Sequence, residues 1–263
     1  MNKQPTDLTK PVHLALEGAV AVMTLSRAPV NAIDDRLTDG LEAALAELEQ
    51  NDQVAVLRIR SDQRVFCAGA DLRMIGDRFG TEAGSAAMVA SVRRFHAVFD
   101  RIAALPMVIL AEIAGHALGG GLELALACDL RIAAHEAKLG LPEVNVGLIP
   151  GAGGTQRLTA LCGPGVASRL ILTGEVVSGQ TAEKLGLVQW SAASAEFGGV
   201  ANAIVERIAK LSPEALRAAK NCIRLAGSQN RAGFAAEIDG IGALMLEADT
   251  ARRVAAFVAR NAS

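Results

Sequence analysis

A run of three glycines directly before an apolar segment places the strongest constraint on what this chain can fold into. Gly119–Gly121 stand in the sequence GHALGGGLELALACD, which covers residues 115–129. Glycines allow close approach to the backbone, and the N–H groups at a helix N-terminus attract negative charge. The pattern predicts a helix that begins at the glycines beside a binding site. A tight turn needed only for close packing is the alternative explanation.

Two glutamates near this segment are candidates for acid–base chemistry. Glu123 lies inside the apolar run, where a helix that is apolar on all sides is normally buried. A buried carboxyl is costly unless it is paired, hydrogen-bonded or functional, whereas a lone helical glutamate is usually a solvated surface residue. Glu143 follows 143 − 123 = 20 residues later, within LGLPEVNVGLIPGAGGTQRL at residues 139–158. Two carboxyls in different surroundings can divide acid and base roles, as an enzyme that forms and protonates an enolate requires.

Three sequence blocks resemble the crotonase superfamily, the enoyl-CoA hydratase/isomerase family. They are residues 66–72 (FCAGADL), residues 115–129 and residues 139–158, and the similarity extends from about residue 12 to about residue 187. The resemblance implies an α/β fold of the ClpP/crotonase type. In this fold, repeated ββα turns form a spiral of two roughly perpendicular sheets, with helices outside and a C-terminal helical region. We therefore expect a spiral core with the CoA-thioester site at residues 1–199 and a helical trimerisation region at residues 200–263.

The same resemblance implies roles for individual residues. In the family, two backbone N–H groups bind the thioester oxyanion, and at the matching positions they belong to Ala70 and Gly120. Glu123 would accept a proton from water, Glu143 would protonate the α-carbon, and Gly151 would help to place the water. The positions implied to contact the substrate and its CoA portion are Ala68, Ala70, Asp71, Leu72 and Gly120.

The presence of both glutamates favours an enoyl-CoA hydratase, which adds water across the double bond of a 2-enoyl-CoA. An enoyl-CoA isomerase or a specialised acyl-CoA dehydratase could use the same pair. An alternative of another class is a non-catalytic module that binds CoA or RNA. No metal, flavin or nicotinamide is implied, because CoA enters as part of the substrate. The four histidines also lack metal-ligand spacing.

Composition restricts the partners and the location that we expect. A net charge of −2 and a pI near 6.1 do not show the excess of basic residues that is typical of nucleic-acid binding. Mean hydropathy is high at +0.30, yet no uninterrupted apolar run is long enough to span a membrane. We therefore interpret the excess of apolar residues as tight packing and a buried oligomer interface. The N-terminal MNKQPTDLTKP lacks the apolar stretch of a secretory signal, and the four cysteines lack C-x-x-C spacing. We expect a cytoplasmic homotrimer or dimer of trimers, with reduced thiols and no nucleic-acid or membrane partner.

Local patterns predict individual elements. The predicted elements are a hairpin over residues 12–25, strands over 54–59, 107–113 and 130–134, and helices over about 35–50 and 85–104. Ser178 and Ser212 are predicted helix N-caps, and the tail from about residue 200 is predicted to be helical. The tail groups several apolar residues that could form a trimer contact or close the chain's own core: Ile238, Ile241, Leu244, Met245 and Leu246.

Other residues near the blocks have alternative explanations. The RAPVNAI element at residues 27–33 resembles the hydratase half of multifunctional β-oxidation proteins. Because the basic C-terminal element of the family is not matched, Arg73 is the nearest candidate for the CoA phosphates, unless it is an ordinary surface residue. Cys67 is interpreted as a small buried residue and His116 as a loop residue. The acyl pocket is expected to include Met74, Ile75, Phe79 and Met88, which could equally be core residues.

Overall fold

The computed structural model describes residues 10–226 and 232–261. Most of the N-terminal segment that supports a cytoplasmic location therefore lies outside the described residues. The strands of the described part are β1 (Val12–Glu17), β2 (Val20–Leu25), β3 (Val56–Ser61), β4 (Val108–Ile113), β5 (Ala117–Leu118), β6 (Leu130–Ala134), β7 (Lys138–Gly140), β8 (Val176–Ser178) and β9 (Trp190–Ala192). The helices are α1 (Asp35–Leu48), α2 (Leu72–Gly76), α3 (Glu82–Ala104), α4 (Gly120–Leu126), α5 (Gly154–Thr173), α6 (Gly179–Lys184), α7 (Ser194–Ala209), α8 (Pro213–Ala226), α9 (Ala232–Leu244) and α10 (Ala248–Asn261).

The strands form two sheets. The larger sheet has the order β1-β2-β3-β4-β6-β9, in which β1 and β2 form the predicted antiparallel hairpin and every later neighbour is parallel. The smaller sheet has the order β5-β7-β8. The turns β4-β5-α4 and β6-β7-α5 each place one strand in either sheet, so α4 begins directly after a strand of the smaller sheet. The mixed α/β class predicted from the sequence is confirmed.

Two of the predicted helix starts are confirmed by their caps. The Ser178 hydroxyl accepts a hydrogen bond from the N–H of Thr181 at 3.2 Å, and α6 follows it. The Ser212 hydroxyl accepts from the N–H of Ala215 at 3.3 Å, and α8 begins at the next residue, Pro213. Side-chain caps satisfy N–H groups that have no partner in the first turn, which is why serine precedes both helices.

The C-terminal helices pack on the same chain. Ile241 of α9 and Met245 just after it are buried in a second apolar cluster, together with Ile75 and Met88 from the α2–α3 region. These tail residues therefore close the chain's own core, as the second explanation expected, whereas Leu246 is 49% exposed. α7 crosses the predicted boundary at 199/200 and buries residues of both sides in the main core. The domain division and the trimerisation role of the tail remain predictions.

Candidate active site

The glycine triplet begins α4 as the sequence predicted. Gly119 precedes the helix with φ +52°, a backbone conformation that favours glycine, and its N–H donates to the carbonyl of Gly140 at 3.0 Å. A Cβ on Gly121 would lie 2.2 Å from the Cys67 carbonyl oxygen, so this position admits no side chain. Close packing and a candidate site at the helix start are therefore both present, because the packing brings the loop before α2 against the start of α4.

Two backbone N–H groups lie side by side at this contact. A Cβ on Gly69 would lie 3.3 Å from the nitrogen of Gly120, and a Cβ on Gly120 would lie 3.5 Å from the nitrogen of Ala70. Within the described residues, neither N–H donates to a protein acceptor. Gly120 is the first residue of α4, where N–H groups have no partner in the helix. The arrangement offers a pair of donors to one oxygen in the adjoining cavity.

The loop that carries Ala70 is held by the RAPVNAI element. Ala68 donates its N–H to the Val30 carbonyl at 3.0 Å, and Ile33 donates its N–H to the Gly69 carbonyl at 2.8 Å. The Cys67 thiol is fully buried and donates to the Asn31 carbonyl at 3.0 Å. Burial raises the pKa of this thiol to about 12, so Cys67 is a structural residue rather than a nucleophile.

Glu123 is buried beside the cavity with its carboxylate oriented by the backbone. It is 3% exposed, and its Oε1 accepts the N–H groups of Ala152 at 2.7 Å and Gly154 at 2.8 Å. Burial raises the pKa of Glu123 above its ordinary value, while the two N–H donors and the charge of Arg157 oppose the rise. Because both donors bind Oε1, Oε2 is the oxygen left for the cavity. The environment suits a base that must take up and release a proton.

Glu143 reaches the same cavity from another element. It is the first residue of a 3₁₀ turn, Glu143–Val146, that follows β7. Its Oε1 lies 2.8 Å from the position that a Cβ would take on Gly119, so the carboxyl lies against the start of α4. The fold thus brings two glutamates that are 20 residues apart in the sequence to one cavity.

The cavity is apolar apart from a few side chains. Its volume is about 210 Å³, and among the described residues that border it only Glu123, Glu143 and Asn145 have polar side chains. Ile75 and Met88 border the cavity as the sequence predicted. Met74 and Phe79 instead pack behind it, against the second apolar cluster. A long apolar wall beside two carboxyls suits a hydrocarbon chain whose reactive end meets the glutamates.

The sequence-predicted site residues fall into two groups. Those that border the cavity are Ala68, Ala70, Leu72, Gly120, Glu123, Glu143 and Gly151. Asp71 does not belong to this group, because its Oδ1 accepts the N–H of Arg73 at 3.0 Å as the cap of α2 and its Oδ2 pairs with Arg27 at 3.1 Å. The side chain of Arg73 is exposed, and His116 accepts the Lys138 N–H as a loop residue. Contacts of Asp71 with CoA and of Gly151 with water remain predictions.

Three residues that hold the loop bound to Glu123 were not predicted from the sequence. Arg157 lies in the GGTQRL run of the third block, while His96 and Asp100 lie on α3. The motif contains Arg157, but it does not indicate that this residue pairs with Asp100. Nothing in the sequence placed α3 against this loop, because that contact depends on the tertiary packing.

The described residues form neither a metal-binding cluster nor a membrane-spanning helix. No group of three or more His, Cys, Asp or Glu side chains in that part of the chain is arranged to hold a metal ion. None of its helices combines the length and the apolar character that a membrane-spanning helix requires.

Two sheets joined by ββα turns, with paired backbone donors at the start of a buried helix, define the crotonase fold class. Residues 15–262 match the family model described as "Enoyl-CoA hydratase/isomerase", and the chain belongs to that family. It is accordingly an enzyme of the enoyl-CoA hydratase/isomerase type.

Individual relatives agree with this assignment. A Bacillus subtilis (strain 168) protein named "Probable enoyl-CoA hydratase" is 42% identical over 206 residues, which are 78% of this chain and 78% of that protein. The mouse (Mus musculus) protein "Enoyl-CoA hydratase domain-containing protein 2, mitochondrial" is 45% identical over 196 residues, covering 74% of this chain and 64% of its own length. The solved structure of Pseudomonas aeruginosa DspI has a TM-score of 0.78 and 36% identity, and it covers 98% of each chain. The predicted family and the predicted fold are confirmed.

Proposed function

We propose that this protein is an enoyl-CoA hydratase that adds water across the double bond of a 2-enoyl-CoA. The observation that carries the proposal is that Glu123 and Glu143 border the same apolar cavity as the two unpaired N–H groups of Ala70 and Gly120. A relative that is 42% identical to this chain is named "Probable enoyl-CoA hydratase". An acyl-CoA thioester is therefore the substrate class that we assign.

The paired donors act on the thioester oxygen. When water adds to the β-carbon, electron density moves onto this oxygen, and preorganised donors stabilise it more in the transition state than in the substrate. The N–H of Gly120 has the added advantage of the positive end of α4. Backbone donors also explain why no lysine or arginine is needed among the described residues that border the cavity.

The two glutamates balance the protons of the reaction. Glu123 takes a proton from water as the oxygen of that water bonds to the β-carbon, and Gly151 places the water between the carboxyls. Glu143 gives its proton to the α-carbon as the enolate collapses. The product gains one water in total, and transfer of the proton from Glu123 back to Glu143 restores the enzyme. The raised pKa of Glu123 suits this transfer, because a general base works best when its pKa approaches the working pH.

The proposed reaction requires no metal, flavin or nicotinamide, and CoA takes part only as a portion of the substrate. Dialysis against a chelator should therefore leave the turnover unchanged. We also propose a cytoplasmic location, with reduced thiols, which agrees with four free cysteines in the structure.

Loss of crotonyl-CoA absorbance tests the hydratase proposal directly. A panel of 2-enoyl-CoA chain lengths then defines the acyl group, and incubation in H₂¹⁸O should place the label at the β-carbon of the product. Conversion of a 3-enoyl-CoA to its 2-enoyl isomer without hydration would instead identify an isomerase. If the protein binds CoA esters but transforms none of the panel, the non-catalytic alternative is favoured.

We further propose that the protein is a homotrimer or a dimer of trimers. Exposed apolar side chains on the helices support an interface, including Leu172 at 73% and Ile223 at 74% exposure. Light scattering would give a mass near three or six times 27.2 kDa. A single species of 27.2 kDa would contradict the assembly.

A further inference from the structure

The backbone segment that donates hydrogen bonds to Glu123 is itself bound by an ion pair, Arg157 with Asp100. The N–H groups of Ala152 and Gly154 bind Glu123; Ala152 belongs to the short loop before α5, and Gly154 is the first residue of that helix. Arg157 in the first turn of α5 donates from Nη1 to the Ala152 carbonyl at 2.8 Å. Its Nη2 lies 2.9 Å from Asp100 Oδ1 on α3. A single guanidinium therefore joins the loop to α3, and it is only 12% exposed.

The other end of the loop is held by the same face of α3. His96 lies four residues before Asp100, so the two side chains project from one side of the helix. The imidazole of His96 is buried and donates a hydrogen bond to the backbone carbonyl of Gly151. α3 thus contacts the loop at Gly151 directly and at Ala152 through Arg157.

A peptide plane whose carbonyl is bonded cannot rotate without breaking that bond. The Gly151 carbonyl, which accepts from His96, shares its plane with the N–H of Ala152, and the Gly153 carbonyl, which accepts the N–H of Arg157 at 2.8 Å, shares its plane with the N–H of Gly154. The side chain of Arg157 holds the Ala152 carbonyl between them. Small errors in the position of a reacting group cost large factors in rate. We propose that His96, Asp100 and Arg157 are positioning residues that set the orientation of Glu123 through the loop whose N–H groups bind it. The proposal rests on the proposed role of Glu123 as the base that activates water.

The charges around Glu123 predict the direction of the electrostatic effect. Glu143 borders the same cavity from the 3₁₀ turn, and the charge of Arg157 acts on Glu123 from α5. Asp100 and His96 on α3 contact Arg157 and Gly151 rather than Glu123 itself. Arg157 favours the ionised carboxylate and so opposes the rise in the pKa of Glu123 that burial causes. Burial, followed by the charge of Arg157, lowers the pKa of His96, so the imidazole is neutral at pH 7. Arg157 therefore favours ionisation of this base in addition to the two N–H donors.

Replacing Arg157 tests this directly. Glutamates are labelled with ¹³C at the side-chain carboxyl, the resonance that is missing in Glu123→Gln identifies Glu123, and its titration is followed by NMR. In Arg157→Gln the titration of Glu123 should move to higher pH, and kcat should fall about 10- to 100-fold with KM little changed. Arg157→Lys keeps the charge and should restore most of both properties.

The matched control lies on the same helix. Arg169 of α5 forms an exposed pair with Glu175 at 2.7 Å, and Arg169→Gln should change neither the titration of Glu123 nor kcat. A wild-type titration and wild-type kcat in a folded Arg157→Gln would overturn the proposal, as would an equal effect of Arg169→Gln.

A variant at the other end of the loop covers the case in which Arg157→Gln does not fold. His96→Leu removes the bond to Gly151 and should lower kcat about 10-fold without changing KM. An unchanged kcat in this variant would contradict the role of His96. The NMR titration does not depend on turnover. If the protein hydrates no enoyl-CoA, the proposed function fails, but the titration still tests whether Arg157 acts on Glu123.

Discussion

Asn31 donates its side-chain amide to the backbone carbonyl of Phe66 at 2.9 Å, directly before the loop that carries Ala70. The same amide donates to the Ser61 hydroxyl at 2.7 Å, and its oxygen accepts the N–H of Arg27 at 2.7 Å. Asn31 is fully buried, with φ +50°, a conformation that asparagine tolerates better than most residues. The RAPVNAI element therefore holds the loop that carries Ala70, one of the two proposed oxyanion donors.

Asn31→Ala should destabilise the protein and weaken catalysis together. The change removes buried hydrogen bonds and leaves the Phe66 carbonyl without this donor, which costs roughly 2 to 4 kcal/mol in the free energy of unfolding. Urea denaturation measures the loss, and kcat on crotonyl-CoA measures the effect on the loop. The control is Asn51→Ala, whose side chain accepts the N–H of Gln53 at the surface and should change stability by less than about 0.5 kcal/mol. Equal stabilities of the two variants would contradict the structural role of Asn31.

Gly120 and Gly121 should respond differently to substitution although they are neighbours. Gly120→Pro deletes the proposed oxyanion donor at the first helical position, where proline is tolerated, and should lower kcat by about 100-fold or more. Gly121→Ala places a methyl group 2.2 Å from a backbone oxygen and should cost more than about 2 kcal/mol of stability. Circular dichroism and thermal unfolding separate the two outcomes. A folded Gly120→Pro variant with full activity would remove Gly120 from the oxyanion hole.

Glu143→Gln should nearly abolish hydration while the protein still binds CoA esters. The amide has almost the same shape but cannot supply a proton to the α-carbon, so we expect kcat to fall by about 100- to 10,000-fold. Initial rates at saturating crotonyl-CoA give kcat, and titration calorimetry with a CoA thioester gives the affinity. The control is Glu183→Gln, an exposed glutamate that accepts the hydroxyl of Ser191. Near-wild-type turnover in Glu143→Gln would exclude Glu143 from the mechanism.

The sequence predicted the elements that have a clear period and missed those that are too short to show one. α1, α3 and β4 agree with the prediction to within about three residues, because their apolar residues repeat over several turns or fill a buried strand. β5 has two residues and β7 has three, which is less than any period requires. The spiral was therefore predicted from family resemblance and not from periodicity.

The site was predicted to a similar extent. The glutamates and glycines were visible because buried charge and a glycine triplet are unusual in an apolar helix. The family resemblance implies a substrate contact for Asp71, and the structure shows the same residue as the cap of α2, so the contact with the substrate stays a prediction. The contact of α3 with the loop at Gly151 joins residues more than 50 positions apart, so no local pattern could indicate it.

The four cysteines should differ widely in reactivity. Burial raises the pKa of Cys67 and of Cys128 to about 12, so at pH 8 only about one thiol in ten thousand is ionised at each site. Cys222 is exposed and Cys162 is half-buried with a pKa raised by burial. Labelling of the native protein with a thiol-reactive dye should therefore modify Cys222 first, then Cys162, and the other two only after denaturation. Peptide mapping of the labelled sites by mass spectrometry checks the order, and early labelling of Cys67 would show that the oxyanion loop opens.

Glu123→Gln should make the folded protein more stable at alkaline pH while removing activity. The pKa of Glu123 in the folded state lies above the ordinary value of 4.5, chiefly because burial disfavours the charge. The carboxyl group thus favours the folded state most below pH 4.5, and this contribution is lost as the pH rises from 4.5 through the folded-state pKa. Glutamine carries no such charge, and its oxygen can still accept the N–H groups of Ala152 and Gly154. Denaturant unfolding at several pH values should therefore show a larger free energy of unfolding for the variant than for the wild type at pH 8, and the difference should shrink toward pH 4.

Glu175→Gln is the matched control. The pKa of this exposed residue is lowered by Arg169, so its replacement should not increase the free energy of unfolding at pH 8. A variant at position 123 that is less stable than the wild type at pH 8 would show that hydrogen bonds to the carboxylate outweigh the cost of burying it.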